Sequence, residues 1–101
     1  MIFENHPANR AAELVSAGYT VIDVRERQEL ASGKLPDSIH IPLGELPMRI
    51  KSYPLGTKLA VICQTGGRST QAAATLLALG YSDVVNLHGG VNAAMSRRIA
   101  A

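Results

Sequence analysis

Cys63 is the side chain of this 101-residue sequence that is best suited to nucleophilic chemistry, because a thiolate is a strong nucleophile. It follows an apolar segment and precedes two glycines, Gly66 and Gly67, and then Arg68. Adjacent glycines let the backbone curl so that several amide groups point at one anion. The start of a helix and the cation of Arg68 favour the same negative charge. The spacing therefore predicts a loop that lowers the pKa of the Cys63 thiol.

The alternative for Cys63 is a structural role, because an isolated cysteine is most often a small buried apolar residue. A pair of glycines on its own indicates only a turn. Here a strand end, a glycine-bearing loop, a cationic residue and a helix start coincide within residues 58–69. The coincidence favours a functional thiol over a structural one.

The elements that must position this loop alternate between strand and helix. Residues 58–63 form a continuous apolar run, typical of a strand that is buried on both faces of a parallel sheet. Residues 69–79 are rich in Ala and Leu and predict a helix that ends at Gly80. Ligands of open α/β sheets bind beyond the carboxyl ends of strands, which is where Cys63 lies. The alternation predicts the α/β class with a mostly parallel sheet. The other predicted elements are helices over 7–17, 26–31, 43–50 and from 91 onward, and strands over 19–24, 39–41 and 83–87.

Composition and charge exclude several classes of protein. The chain is 47% apolar with a net charge of +2 and one cysteine, so we expect a single domain over residues 1–101 without an internal disulfide. The three histidines show no ligand spacing, and neither a metal nor another cofactor is expected. No basic run alternates with aromatic residues, and no segment reaches the ~18 apolar residues of a membrane span. The N-terminus has no signal-peptide pattern, so we expect a cytoplasmic protein without nucleic-acid or membrane partners.

Four segments of the sequence resemble single-domain rhodaneses. Residues 63–69, Cys-Gln-Thr-Gly-Gly-Arg-Ser, are similar to the active loop of that family, which commonly reads Cys-x-x-Gly-x-Arg followed by Ser or Thr. Three further segments match in the family's order: Asp-Val-Arg-Glu at 23–26, Ile-His-Ile-Pro-Leu at 39–43 and Asn-Leu-His-Gly-Gly at 86–90. The resemblance covers about residues 8–95 and implies a rhodanese-like fold, in which helices flank a central, mostly parallel sheet.

The resemblance also implies an enzyme, a sulfurtransferase of the thiosulfate type. Cys63 would take a sulfane sulfur from a small anionic donor such as thiosulfate, or from a protein donor, and become a persulfide. It would pass the sulfur to cyanide, to a thiol or to a partner protein. Backbone amides would stabilise the terminal sulfur, and Arg68 is the side chain expected to contact an anionic donor. The predicted site consists of catalytic Cys63 and the substrate-binding residues Gln64, Thr65, Gly66, Gly67, Arg68 and Ser69.

Three other functions compete with this hypothesis. A Cys-dependent phosphatase or arsenate reductase usually has one residue more between its Cys and Arg than the four found here. A non-catalytic rhodanese-like binding module usually lacks the cysteine. A sulfur carrier for a partner enzyme overlaps with the sulfurtransferase and is not separable from it by sequence. The intact loop around Cys63 favours the sulfurtransferase.

Two departures from the family pattern concern the surroundings of the loop. The family often reads Gly-His-Ile-Pro-Gly-Ala where this chain has Gly-Lys-Leu-Pro-Asp-Ser at 33–38, which predicts a locally different turn. The family often has an aromatic residue soon after its Gly-Gly, whereas Met95 stands in that region here. Neither departure affects the inferred nucleophile.

Other polar residues have simple structural interpretations. Asp23 and Arg25 lie two positions apart near a strand end and are expected to form an ion pair or hydrogen bonds. The hydroxyl of Ser69 is expected to cap the helix that follows the loop. His40 is expected to face outward from its strand, and His88 to be exposed to solvent.

Overall fold

Five parallel strands form the central sheet of the computed structural model, which describes residues 3–94. The strands are β1 (Glu4–Pro7), β2 (Thr20–Asp23), β3 (Ser38–His40), β4 (Leu59–Ile62) and β5 (Val84–His88). Their order in the sheet is β1-β5-β4-β2-β3, so that β4 lies in the middle. This arrangement confirms the predicted α/β class with a parallel sheet.

Helices cover both faces of this sheet, as the resemblance to rhodaneses implies. The α-helices are α1 (Ala11–Ser16), α2 (Leu46–Arg49), α3 (Gly67–Ala78) and α4, which begins at residue 90 and is described as far as residue 94. Within residues 3–94 the longest is α3, which leads away from the loop that follows β4. Short 3-10 helices occupy Ala8–Arg10, Arg27–Ser32, Leu43–Glu45 and Ile50–Ser52. Across the described part of the chain, every helix is too short or too polar to span a lipid bilayer.

The central strand β4 contributes to a separate apolar core on each face. Its four residues are all buried, and their side chains alternate between the faces because the side-chain period of a strand is two. Leu59 and Val61 pack with α2 and α3, whereas Ala60 and Ile62 pack with α1 and the start of α4. Cys63 continues the alternation and belongs to the core on the α3 face. The thiol therefore lies where the sheet, α3 and the loop meet.

The N-terminal elements differ from the prediction. A helix was expected over residues 7–17, but Pro7 ends β1, a 3-10 helix follows, and the α-helix begins only at Ala11. β1 pairs only with β5 and is mostly exposed, so its sequence shows no alternation of apolar residues. The single helix predicted over 43–50 is divided in the structure into a short α-helix, Leu46–Arg49, and two 3-10 helices that flank it, Leu43–Glu45 and Ile50–Ser52. Most other boundaries agree within one or two residues.

The turn before β3 contains Asp37, which has a φ of 65°. This is the left-handed region that glycine favours and that Asp tolerates better than most residues. The turn is therefore left-handed with aspartate at the position where the family often has glycine. Met95, the residue that stands near the family's aromatic position, lies outside the described residues.

Candidate active site

Cys63 directly follows β4 at the carboxyl end of the sheet and is only 1% exposed. The backbone N–H of Gly66 donates a hydrogen bond to its Sγ over 3.0 Å. Gly66 has a φ of 116°, a left-handed conformation that lets the chain turn back toward the sulfur. α3 begins at the next residue, so the sulfur also lies beside the first turn of a helix.

The surroundings lower the pKa of the Cys63 thiol below its ordinary value. Burial is the largest single influence and acts in the opposite direction, because a charged sulfur is costly to remove from water. The backbone N–H and the hydroxyl of Ser69, together with the backbone N–H groups of Gly66 and Thr65, stabilise the thiolate and outweigh burial. The site therefore holds more thiolate at neutral pH than an ordinary cysteine does.

The hydroxyl of Ser69 has a second partner, the carbonyl oxygen of Gly66, to which it donates over 3.0 Å. Because a hydroxyl has one proton, it can donate to the sulfur only after turning away from Gly66. The backbone amides are thus the constant donors of this site. The predicted capping role of Ser69 is wrong, because α3 begins two residues earlier and the cap position belongs to Gly66.

The start of α4 supports the loop from its inner side. The backbone N–H of Val91 donates to the carbonyl oxygen of Cys63 over 2.7 Å, and that of Asn92 donates to the carbonyl of Gln64 over 3.2 Å. A Cβ on Gly90 would overlap both of these carbonyl groups. Gly90 therefore has a steric reason to be glycine, and the Gly-Gly motif of the sequence belongs to the support of the Cys63 loop.

Arg25 holds the same loop from the side of β2. It is fully buried, and its Nε and Nη2 donate to the carboxylate of Asp23, with Nη2 and Oδ2 2.8 Å apart. The ion pair expected from the sequence is therefore present. Nη1 donates to Oε1 of Gln64 over 2.9 Å, a contact across 39 positions that the sequence analysis missed. The remaining hydrogen bonds of the guanidinium reach the carbonyl oxygens of Glu29 and Gly33.

The side chain of Gln64 is held at both ends. Its Oε1 accepts from Arg25, and its Nε2 donates to Oδ1 of Asn92. Substrate binding by Gln64 stays a prediction. Because both ends of its side chain are already hydrogen-bonded, its backbone is the part that could contact a substrate. Thr65 and Gly67, the next predicted substrate-binding residues, are exposed at the rim of the loop.

Arg68 forms an ion pair with Glu29, a residue that the sequence analysis did not single out. Its Nη1 and Nη2 donate to the two carboxylate oxygens, with Nη2 and Oε2 2.7 Å apart. Hydrogen bonding by Arg68 is the main cause that lowers the pKa of Glu29 to about 2, so this carboxylate is charged at neutral pH. The expected contact of Arg68 with an anionic donor stays a prediction, since its guanidinium already faces a carboxylate.

The histidines lie outside this constellation. His40 was expected to face outward, but it is half-buried and its Nε2 lies 2.6 Å from the carbonyl oxygen of Arg25. His88 is exposed, as expected. Within residues 3–94, no three or more His, Cys, Asp or Glu side chains come together in a way that could hold a metal ion.

Comparison with known proteins gives one family. The chain matches the family model of the rhodanese-like domain over residues 7–96. It is 37% identical over 71 residues to a sulfurtransferase of Allochromatium vinosum, a match that covers 70% of this chain and 66% of that protein. It is 35% identical over 88 residues to the thiosulfate sulfurtransferase GlpE of Pseudomonas syringae pv. syringae, covering 87% and 83%. The crystal structure of a rhodanese-related protein from Thermoplasma volcanium matches with a TM-score of 0.83 at 36% identity, over 94% and 93% of the two chains.

Proposed function

The chain belongs to the rhodanese-like domain family, and from this we propose that it is a sulfurtransferase that carries sulfur as a persulfide on Cys63. The observation that carries the proposal is the buried sulfur of Cys63 with the N–H of Gly66 directed at it over 3.0 Å. Relatives named sulfurtransferase and thiosulfate sulfurtransferase support the class of reaction.

In the first half of the reaction the Cys63 thiolate attacks the sulfane sulfur of a donor such as thiosulfate. A bond forms between the two sulfurs, the sulfur–sulfur bond of thiosulfate breaks, and sulfite leaves with the electron pair. The terminal sulfur of the new persulfide carries the negative charge that the thiolate held. The N–H groups of Thr65, Gly66 and Ser69, which lower the pKa of the thiol, are placed to stabilise this charge as well.

In the second half an acceptor such as cyanide or a thiolate attacks the terminal sulfur. The sulfur–sulfur bond of the persulfide breaks, the acceptor keeps the sulfur, and Cys63 is left as the thiolate. The chain has one cysteine, so no second thiol of the same chain can take the sulfur and release it as a disulfide. The acceptor is therefore external, whether it is a small molecule or a partner protein that receives sulfur.

The test is sulfur transfer from thiosulfate to cyanide by the protein and by Cys63→Ser. We expect thiocyanate from the protein and none above background from the variant, with thermal unfolding showing that the variant is folded. Exposure to thiosulfate alone should add ~32 Da to the intact mass of the protein and nothing to that of the variant. Thiocyanate formation that persists in Cys63→Ser would refute the role of Cys63. A folded protein that gains no sulfur would instead indicate a non-catalytic binding module.

A further inference from the structure

The cationic side chains beside the Cys63 loop are already neutralised by carboxylates. Arg68 is paired with Glu29 at the rim of the loop, where the two side chains are 35% and 27% exposed. Arg25 is paired with Asp23 in the interior. The two formal charges of each pair sum to zero, so neither pair adds a net positive charge to the site.

Further negative charge surrounds Arg68. Beyond the hydrogen bond to Glu29, the charges of Cys63 and Glu26 also act on the guanidinium and raise its pKa. Glu26 is exposed and belongs to the turn that precedes Glu29. A donor that approaches the sulfur therefore meets an arginine whose charge is balanced by Glu29, with the carboxylate of Glu26 near enough to act on the same guanidinium.

Glu29 is held in this position by its own hydrogen bonds. Its carboxylate accepts from the backbone N–H of Glu26 over 2.9 Å, and its carbonyl oxygen accepts from Arg25 and from the hydroxyl of Ser32. The two hydrogen bonds to Arg68 complete the arrangement. Releasing Arg68 to an anionic donor would require breaking a bidentate ion pair, which is among the stronger polar contacts in proteins.

We propose that Glu29 is a specificity-determining residue that disfavours dianionic sulfur donors and favours sulfane donors of lower charge, such as thiosulfonates and organic persulfides. The inference rests on the proposed function. The backbone N–H groups around Cys63 accommodate the one sulfur that is transferred, whatever the charge on the rest of the donor. The charged rim acts on that remainder. Glu29 cancels the attraction that Arg68 alone would exert on each additional negative charge of the donor, and the carboxylate of Glu26 adds repulsion.

Two donors of the same chemistry but different charge test this inference. Thiosulfate is a dianion and methanethiosulfonate is a monoanion; in each, the Cys63 thiolate takes the sulfane sulfur and releases sulfite or methanesulfinate with the electron pair. The measured quantity is the ratio of kcat/KM for thiosulfate to kcat/KM for methanethiosulfonate. Glu29→Gln keeps an oxygen for Arg68 but removes the charge, so we expect this ratio to rise about three- to tenfold.

The matched control is Glu13→Gln. Glu13 also pairs with an arginine, Arg10, but it does so on α1, so the variant changes the net charge equally without changing the rim. We expect its ratio to equal that of the unmodified protein. High salt should reduce the effect of Glu29→Gln, since exposed charges are screened.

Arg68→Gln provides the opposite change, because it leaves Glu29 without its partner. The ratio should fall in Arg68→Gln and return toward its original value in the double variant with Glu29→Gln. A folded Glu29→Gln protein with an unchanged or lower ratio would overturn the inference while leaving the sulfurtransferase intact. If the unmodified protein takes no sulfur from either donor, the proposed function fails and this inference fails with it.

Discussion

The sulfur of Cys63 is stabilised as a thiolate chiefly by hydrogen-bond donors of the loop and of the first turn of α3. The amides of Thr65 and Gly66 belong to the loop and that of Ser69 to the first turn of α3, so the path of the backbone fixes their positions. Arg68, which the sequence analysis expected to supply a positive charge, has that charge matched by Glu29. The site therefore relies on fixed dipoles more than on a mobile cationic side chain.

The ionisation of Cys63 gives the first prediction. The pH profile of alkylation by iodoacetamide should have its midpoint below that of a free cysteine, about 8.5, because the thiolate is the reactive form and the pKa of Cys63 is lowered. Ser69→Ala should raise this midpoint, since it removes a hydroxyl that stabilises the thiolate.

Thr70→Ala is the matched control for that experiment. The hydroxyl of Thr70, like that of Ser69, donates to the carbonyl oxygen of Gly66, at 2.9 Å against 3.0 Å. Only the Ser69 hydroxyl is among the groups that stabilise the sulfur of Cys63. Equal midpoints in the two variants would contradict the assigned role of Ser69.

Local motifs account for what the sequence could predict at this scale. The spacing of Cys63, the two glycines and Arg68 is a property of six consecutive residues, and the predicted loop forms at these positions. The partners of the loop are distant in sequence: Glu29 and Arg68 are 39 positions apart. An isolated glutamate in a charged segment has no periodicity or motif that would mark it. Such pairs follow only from the packing of β2 beside β4.

The close contact between the Cys63 loop and the start of α4 is the main feature at the scale of elements. Two backbone hydrogen bonds join the two segments. They can approach this closely because residue 90 is glycine, since the Cβ of any other residue there would overlap the loop. The loop is thus positioned by β4, by α3 and by a turn that lies almost thirty positions later in the chain.

Gly90→Ala should lower the free energy of unfolding by about 2–4 kcal/mol, because it adds a steric overlap to a left-handed backbone with a φ of 65°. It should also slow persulfide formation, since the carbonyls of Cys63 and Gln64 must move. Urea unfolding and the sulfur adduct in the intact mass measure the two effects.

Gly44→Ala is the control for Gly90→Ala. A Cβ there meets no atom within 4 Å, so the change should stay within about 1 kcal/mol. Similar losses of stability in the two variants would show that the contact with the loop is not the cause.

The failure to predict β1 has a physical reason at the same scale. Its residues are mostly exposed and include charged and polar side chains, so the strand exists because β5 offers it hydrogen bonds. Buried strands such as β4 are recognisable in the sequence as continuous runs of apolar residues. An exposed strand at the border of the sheet depends on its partner and shows no such signal.

The buried pair of Asp23 and Arg25 links these elements across the whole molecule. Arg25 reaches the end of β2, the helical turn around Glu29, Gly33 and the Cys63 loop through Gln64. Its planar guanidinium makes these contacts simultaneously, which the single ammonium of a lysine cannot do. Stability and the geometry of the site are therefore coupled through one side chain.

Arg25→Lys should lower the free energy of unfolding by about 2–4 kcal/mol, because it leaves buried acceptors without donors. Arg27→Lys is the matched control. Arg27 also pairs with a carboxylate, that of Glu45, but its side chain is 66% exposed. Its replacement should therefore change the free energy of unfolding far less than Arg25→Lys does, because exposed ion pairs contribute little to stability. Denaturant unfolding of both variants measures the difference, and losses of equal size would rule out the proposed coupling.

The two outer strands of the sheet have a consequence for how the protein behaves in concentrated solution. β1 has four residues and ends at Pro7, which has no N–H to donate, and β3 has three. Long unprotected outer strands act as templates onto which strands of other molecules add, and proteins avoid this by shortening them or by placing proline there. The sheet therefore presents little backbone for such addition, and we expect the folded protein to resist aggregation through its strands.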